Sequence, residues 1–176
     1  MDLVVNGKRA YAYTGGKAFD AALPCIVFIH GSLHDHSIWN LLARWFAHHG
    51  HAVLAVDQPA HGRSDGPPLA GVEELADWTL ALLDAAGVRE SAFVGHSMGS
   101  LIALEAAARA PDRATRLVMI GTAYPMKVSD ALLELGFTDF HIRLNHRQLL
   151  AEVLTAAGVP EALHASTLVA IDKLDK

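Results

Sequence analysis

The sequence predicts an α/β fold: a three-layer domain whose mostly parallel sheet is opened by an antiparallel hairpin. Three observations predict it. Short apolar runs rich in β-branched residues alternate with longer segments of helical spacing. Glycine or proline closes each helical segment. An Asn-Gly pair, the strongest short-range hairpin signal, separates the first two β-prone runs.

Taken in order, Leu3 to Val5 and Arg9 to Tyr13 flank Asn6-Gly7 as two strands of a hairpin. Cys25 to His30 (CIVFIH) is a short apolar run, as a strand buried on both faces requires. Ile38 to His49 carries Ile38, Trp39, Leu41, Leu42, Trp45 and Phe46 at helical spacing and stops at Gly50. Trp39, Trp45 and Phe46 are expected to pack this helix against the sheet. Ala52 to Asp57 is the next buried strand, followed by a loop rich in Pro and Gly from Gln58 to Gly71. Val72 to Ala86 reads as a helix with Leu75, Trp78, Leu82 and Leu83 on one side, closed by Gly87. Ser91 to Gly95 is a strand, Met98 to Ala110 an Ala-rich helix ending before Pro111, and Arg116 to Gly121 another strand. Alternation at this pace implies βαβ units and a parallel sheet.

Beyond about residue 130 the texture changes. Thr138 to Asn145 alternates strictly, with Phe140, Ile142 and Leu144 on one side, the pattern of a half-buried strand. Asn145 with Gln148 forms a capping pair for a helix to Ala157, ended by Gly158. Pro160 suits the first turn of a last helix reaching Leu174.

The chain has 176 residues, 52% of them hydrophobic and 19% charged, so it reads as globular rather than disordered. Its formal charge of -5 argues against nucleic acid or an anionic membrane as partner. Cys25 is the one cysteine, so no internal disulfide forms and a reducing, cytoplasmic setting is expected. The first residues show neither a basic stretch nor a long apolar run, and no apolar run reaches membrane-spanning length. The expectation is a soluble protein without signal peptide.

Gly95-His96-Ser97-Met98-Gly99 fits G-x-S-x-G, and it falls between a predicted strand and a predicted helix. A nucleophile elbow needs that context: the serine occupies a strained turn, and the glycines leave room where helix crosses strand. His30-Gly31-Ser32 lies at the end of an apolar strand, where an oxyanion-binding segment belongs. A tetrahedral intermediate needs two preorganised N–H donors. The backbone amides of Ser32 and Met98 are the candidates. Asp57 to Asp65 (DQPAHGRSD) taken alone is a loop with good turn chemistry, and Asp57 reads as shaping it.

HGSLHDHSIW, DQPAHGRSDGPP and GHSMGS, in that order and spacing, resemble the esterase and acyl-hydrolase branch of the α/β-hydrolase superfamily. The resemblance covers residues 1 to 133 and implies a partial hydrolase fold. It implies Ser97 as nucleophile, Ser32 and Met98 at the oxyanion hole, and His30, Gly31, Gly95, His96 and Gly99 as elbow and loop residues. The substrate is then a small carboxylic ester or acyl compound, with no cofactor and no metal. Where many members have Pro-Gly-His-Gly, this chain has Pro59-Ala60-His61-Gly62. A larger departure follows. In this fold the triad runs Ser, acid, His along the chain, and nothing after Gly121 supplies a strand ending in a suitable Asp or a later Gly-His loop. A serine without a base is a weak nucleophile, so activity is expected to be impaired. The alternative is a non-catalytic binding or assembly module that keeps the fold.

LGFTDFHIRLNHRQLL, then AGVPEAL and VAIDKLDK, resemble a segment of histidyl-tRNA synthetases over residues 134 to 176. The chain thus reads as a chimera of a hydrolase head (1–133) and a synthetase-like β-α-α tail (134–176). The synthetase's catalytic motifs are not in it, and no aminoacylation is expected. The sheet edge left by the missing strands is expected to pair with the tail strand at Phe140 to Leu144 or to promote self-association. His34-Asp35-His36 and His48-His49-Gly50-His51 read as surface histidines rather than metal ligands. His141, His146 and His164 carry no motif that makes them the base.

Overall fold

The computed structural model of the chain describes residues 1–122 and 169–172. The N-terminal strands β1 (Asp2–Val5) and β2 (Lys8–Tyr13) pair antiparallel. Asn6 and Gly7 between them both have positive φ, 50° and 74°. Such a turn matches the right-handed twist of the flanking strands, and Asn and Gly tolerate it best. β3 (Cys25–Ile29), β4 (Ala52–Val56), β5 (Ser91–His96) and β6 (Ala114–Ile120) then form the parallel centre. The sheet has seven strands in the order β1-β2-β4-β3-β5-β6-β7.

Three helices alternate with the central strands: α1 (Asn40–His48), α2 (Val72–Ala85) and α3 (Met98–Arg109). Alternate residues of each strand serve opposite faces. Cys25, Val27 and Ile29 join Leu82, Leu83 and Ile102 under α2 and α3. Ile26 and Phe28 instead join Trp39, Ala43 and Ala47 under α1. Every residue of β3 and β4 is buried, which is why both read as continuous apolar runs. The α2 stripe of Leu75, Trp78, Leu82 and Leu83 is buried as its spacing requires.

Three expectations need correction or relocation. The helix expected from Ile38 begins as a 3₁₀ turn, His36–Trp39, because Asp35 accepts a hydrogen bond from the Ser37 N–H and starts the turn early. Trp39 is buried there, whereas Trp45 is 54% exposed and does not pack on the sheet. The backbone of the last expected helix is not helical throughout: Val169–Asp172 is a strand, β7, pairing antiparallel with β6 through Met119↔Val169 to Arg116↔Asp172. Val169 and Ile171 are β-branched, and the unpaired edge of β6 offers them a ladder that a helix end cannot match. The edge of β6 is therefore covered, though by a later segment than expected. The strand expected at Phe140 to Leu144, the helix to Ala157 and the 133/134 boundary lie outside the described residues.

Candidate active site

Everything at the site hangs on the carboxyl ends of β3 and β5, which pair in register with Ile29 opposite Gly95. Ser97 sits between β5 and α3 with φ 54° and ψ −122°. A non-glycine residue in that region costs of order 1–3 kcal/mol and persists only when its surroundings enforce it. They do so here through hydrogen bonds on both sides. The Ser97 N–H donates to the Ile120 carbonyl (2.8 Å), and the Ser97 carbonyl accepts from the Ser100 N–H (2.9 Å). The buried Ser100 hydroxyl donates to the Gly95 carbonyl (2.8 Å) and accepts from the Ile120 N–H (3.1 Å). Ser100 is a clamp that the sequence reading missed, although its place one turn after the serine in GHSMGS was a visible signal.

The two glycines of the motif are required by space. A Cβ at Gly95 would meet the Gly99 carbonyl and lie 2.5 Å from the Ser100 Cα. One at Gly99 would meet the Ile29 carbonyl and lie 2.6 Å from the His30 carbonyl. Gly31 is less tightly enclosed but still close to the turn, its hypothetical Cβ 3.0 Å from the Ser97 Cβ. The loop after β3 therefore leaves no room for a side chain between itself and the serine. Beside it, the Ser32 hydroxyl donates to the Met98 sulfur at 3.2 Å, so the two residues expected to supply oxyanion amides are neighbours. Met98 opens α3, where first-turn N–H groups have no intrahelical acceptor and the helix dipole favours negative charge.

His30 fixes the loop from beneath. It is fully buried, and burial pushes its imidazole down to about 4, so the ring is neutral. Its Nδ1–H donates to the Gly31 carbonyl (2.7 Å), which leaves Nε2 to accept the Gln58 N–H (3.1 Å). The Gln58 side-chain amide donates in turn to the His30 carbonyl at 2.5 Å. This lock ties the end of β3 to the loop after β4, and Gln58 was not singled out from sequence.

His96 lies half-buried between the loop and β6. A Cβ at Gly31 would stand 3.3 Å from its Nδ1, and one at Gly121 would stand 3.4 Å from its Nε2. Burial first, then the nearby His34, lowers its pKa. His34 donates from Nδ1 to the Ser32 carbonyl (2.8 Å), and its ring meets the His96 ring edge-on at 5.8 Å. Both histidines pack beside the loop after β3. Among the described residues none hydrogen-bonds the Ser97 hydroxyl, and His141, His146 and His164 lie outside them.

Asp57 is buried and organises the loop after β4. Its Oδ1 accepts the His36 N–H (2.7 Å) and stands 2.8 Å from the His36 Nδ1, while Oδ2 accepts the Arg63 N–H (2.8 Å). No sequence signal pointed to His36 as this partner. Asp35, His36 and Asp57 bring three ligand-type atoms within 4.8 Å of one another. Yet these hydrogen bonds, with the one from Ser37 N–H to Asp35, already engage the carboxylates, which accounts for the cluster without a metal.

The alpha/beta hydrolase fold family profile matches residues 24–165. The chain is 38% identical over 102 residues to the sn-1-specific diacylglycerol lipase of Mus musculus, covering 57% of this chain and 33% of that one. A crystal structure of a bacterial membrane phospholipase A superposes with a TM-score of 0.65 at 28% identity, covering 87% of this chain and 51% of that one. The chain is also 47% identical over 47 residues to the histidine–tRNA ligase of Gloeobacter violaceus, covering 27% of this chain and 10% of the ligase. It thus spans about a third of the lipase's length and half of the phospholipase's.

Proposed function

This chain belongs to the α/β-hydrolase fold family, and from that premise we propose that it acts on a small carboxylic ester or acyl compound through Ser97. In this reading Ser97 attacks the acyl carbon, and the backbone amides of Ser32 and Met98 receive the oxyanion. His30 and Gly31 set the loop, and Gly95, His96 and Gly99 form the elbow. No cofactor or metal takes part. The single observation that carries the reading is the Ser97 backbone, held at φ 54° at a strand-to-helix turn with no room for a side chain at the neighbouring Gly31. Strain of this kind presents a hydroxyl at the sheet's carboxyl edge at a cost that packing alone gives no reason to keep.

The base is the weak point of the machinery. The Ser97 hydroxyl has no hydrogen-bond partner among the described residues, which favours a second reading: a binding or assembly module that keeps the fold without turnover. We place the head at 1–133 and a synthetase-like tail at 134–176, the latter without aminoacylation. A free, buried Cys25 suits a reducing cytoplasmic setting, and no helix among the described residues is long and apolar enough to cross a membrane.

Labelling with a fluorophosphonate probe, read by peptide mass spectrometry, separates the two readings. Modification confined to Ser97 and lost in Ser97→Ala supports the hydrolase. A folded protein that resists the probe refutes it and leaves the binding module.

A further inference from the structure

The loop that carries Ser32 is fastened at both ends to one place. It runs from His30, just after β3, to His36, where the 3₁₀ turn into α1 begins. At its start the Gln58 N–H donates to the His30 Nε2 (3.1 Å). At its end His36 donates twice to the buried Asp57 carboxylate, from its backbone N–H (2.7 Å) and from Nδ1 (2.8 Å). A carboxylate only accepts, so Nδ1 carries the proton of that bond. Asp57 and Gln58 are consecutive, and Asp57 is itself held by the Arg63 N–H (2.8 Å). The rings of Tyr11 and Tyr13, both from β2, stand 5.0 and 5.9 Å from the His36 ring, which leaves the imidazole little freedom to turn. Between the two fastenings the backbone is strained. The His34 N–H reaches the Gly31 carbonyl at 3.4 Å, closing a turn with Ser32 and Leu33 at its centre. Leu33 has φ 61°, a conformation that suits glycine at this place in a turn. A branched residue keeps it where the surroundings impose it. The Ser32 and His34 side-chain bonds hold the turn locally, and the fastened ends fix the span it has to close.

We propose that His36 is a positioning residue for acyl transfer: its Nδ1–H bond to Asp57 sets the span of the 30–36 loop and so the place of the Ser32 amide. The inference rests on the reading of Ser97 as nucleophile and Ser32 as an oxyanion donor, and His36 touches no reacting atom in it. An oxyanion donor is effective when it is aimed in advance, and a displacement of about 1 Å removes most of its effect. The His36 backbone N–H survives substitution of the side chain. A variant therefore leaves the start of α1 tethered to Asp57 and removes the one bond in question.

The test compares the full chain with His36→Leu, His36→Asn and a control, Asp65→Asn, each shown by circular dichroism to be folded. Leu fills the place of the imidazole without a donor, and Asn keeps an N–H at the position of Nδ1. Asp65 lies in the same loop after β4, but its side chain pairs with Arg9 of β2. Hydrogen–deuterium exchange of peptides spanning 30–36 needs no activity. It should rise about tenfold in His36→Leu, as loss of one such bond allows, and return towards the parent in His36→Asn. Hydrolysis of p-nitrophenyl acetate that depends on Ser97 should fall about ten- to a hundredfold in kcat for His36→Leu. KM should stay within about twofold, and His36→Asn should recover most of the rate. If His36→Leu does not fold, His36→Gln, with its N–H at the place of Nε2, stands in for it. Faster exchange with an unchanged kcat overturns the proposal and leaves His36 a structural residue of the loop. Unchanged exchange overturns it too, as does a fall in Asp65→Asn equal to that in His36→Leu. A folded parent whose hydrolysis owes nothing to Ser97 overturns the nucleophile reading itself, and this proposal with it.

Discussion

Gly99→Ala sets two well-known effects against each other at the point where α3 crosses β3. Replacing glycine by alanine inside a helix ordinarily stabilises by about 0.8–1 kcal/mol. At Gly99 the added Cβ meets the Ile29 carbonyl oxygen and lies 2.6 Å from the His30 oxygen and 2.8 Å from the Ile29 carbonyl carbon. Non-bonded carbon–oxygen contacts settle near 3.3–3.6 Å, so the helix start has to retreat by roughly 1 Å. These are backbone atoms of a buried strand, which cannot swing aside as a side-chain tip can. Overpacking of this kind costs about 1–3 kcal/mol. With rigid backbone on the other side the upper end applies, for a net loss of about 1–2 kcal/mol. The same retreat carries the Met98 amide away from the proposed oxyanion position, and a misplacement of about 1 Å can cost about a hundredfold in rate. Urea unfolding followed by tryptophan fluorescence reads the first effect. Fluorophosphonate labelling of Ser97 reads the second. Gly50→Ala is the control, since Gly50 has φ 83° and nothing within 4 Å, so its cost is backbone strain without crowding. An unfolding midpoint for Gly99→Ala at or above that of the parent means propensity won, and the close crossing that positions the elbow would be wrong.

The buried His30 makes stability depend on pH. Its folded pKa is about 4 against an ordinary 6.5, so the unfolded chain takes up a proton first as pH falls. Stability is thus lost between pH 6.5 and 4, by about 3 kcal/mol in all, with the lowered His96 acting in the same direction. Urea unfolding at pH 7 and 5 checks it, and a His30→Gln variant with an equally steep pH slope would refute the assignment. Asp57→Asn turns one accepting oxygen into a donor that must face either Arg63 N–H or the His36 groups. A loss of about 2–3 kcal/mol in urea is expected, and an unchanged midpoint counts against Asp57 as organiser of the loop. Cys25 is buried with its thiol raised to about 11. It should resist Ellman's reagent in the native state and react fully in denaturant; rapid native reaction contradicts the placement of β3.

What the sequence made legible follows from how each signal arises. CIVFI and AVLAV are strands buried on both faces, and such strands have no polar side to break the run. Asn6-Gly7 was legible because few residue pairs accept two successive positive φ values. The G-x-S-x-G pattern was legible because two of its positions tolerate no Cβ. Trp45 was misplaced because periodicity reports which residues are apolar, and α1 is apolar on two flanks of which only one meets the sheet. Val169–Asp172 was misplaced because four residues carry weak propensity either way, and the deciding factor was an unpaired edge of β6 some fifty positions earlier. The His36–Asp57 and Gln58–His30 pairs span 21 and 28 residues, and no local pattern announces a side-chain hydrogen bond at that range.

Acyl transfer through Ser97, as proposed, makes two requirements of the site. The ends of β3 and β5 and the start of α3 supply a strained serine and candidate oxyanion donors. Proton transfer from the serine needs a base, and none reaches it among the described residues. A site without that base should depend sharply on the leaving group. Oxyanion binding and positioning alone can leave a residual acceleration of roughly 10³–10⁴ over water, enough to detect with p-nitrophenyl acetate, whose leaving group needs no proton, and too little for an unactivated ethyl ester. Added imidazole then becomes diagnostic. If no protein base is present, hydrolysis that depends on Ser97 should rise with imidazole concentration, because the free base takes the hydroxyl proton. If a histidine of the chain occupies the base position, imidazole adds nothing beyond its own background with Ser97→Ala. Ethyl ester turnover that is fast and indifferent to imidazole refutes the incomplete-machinery reading and directs the search to His141, His146 and His164.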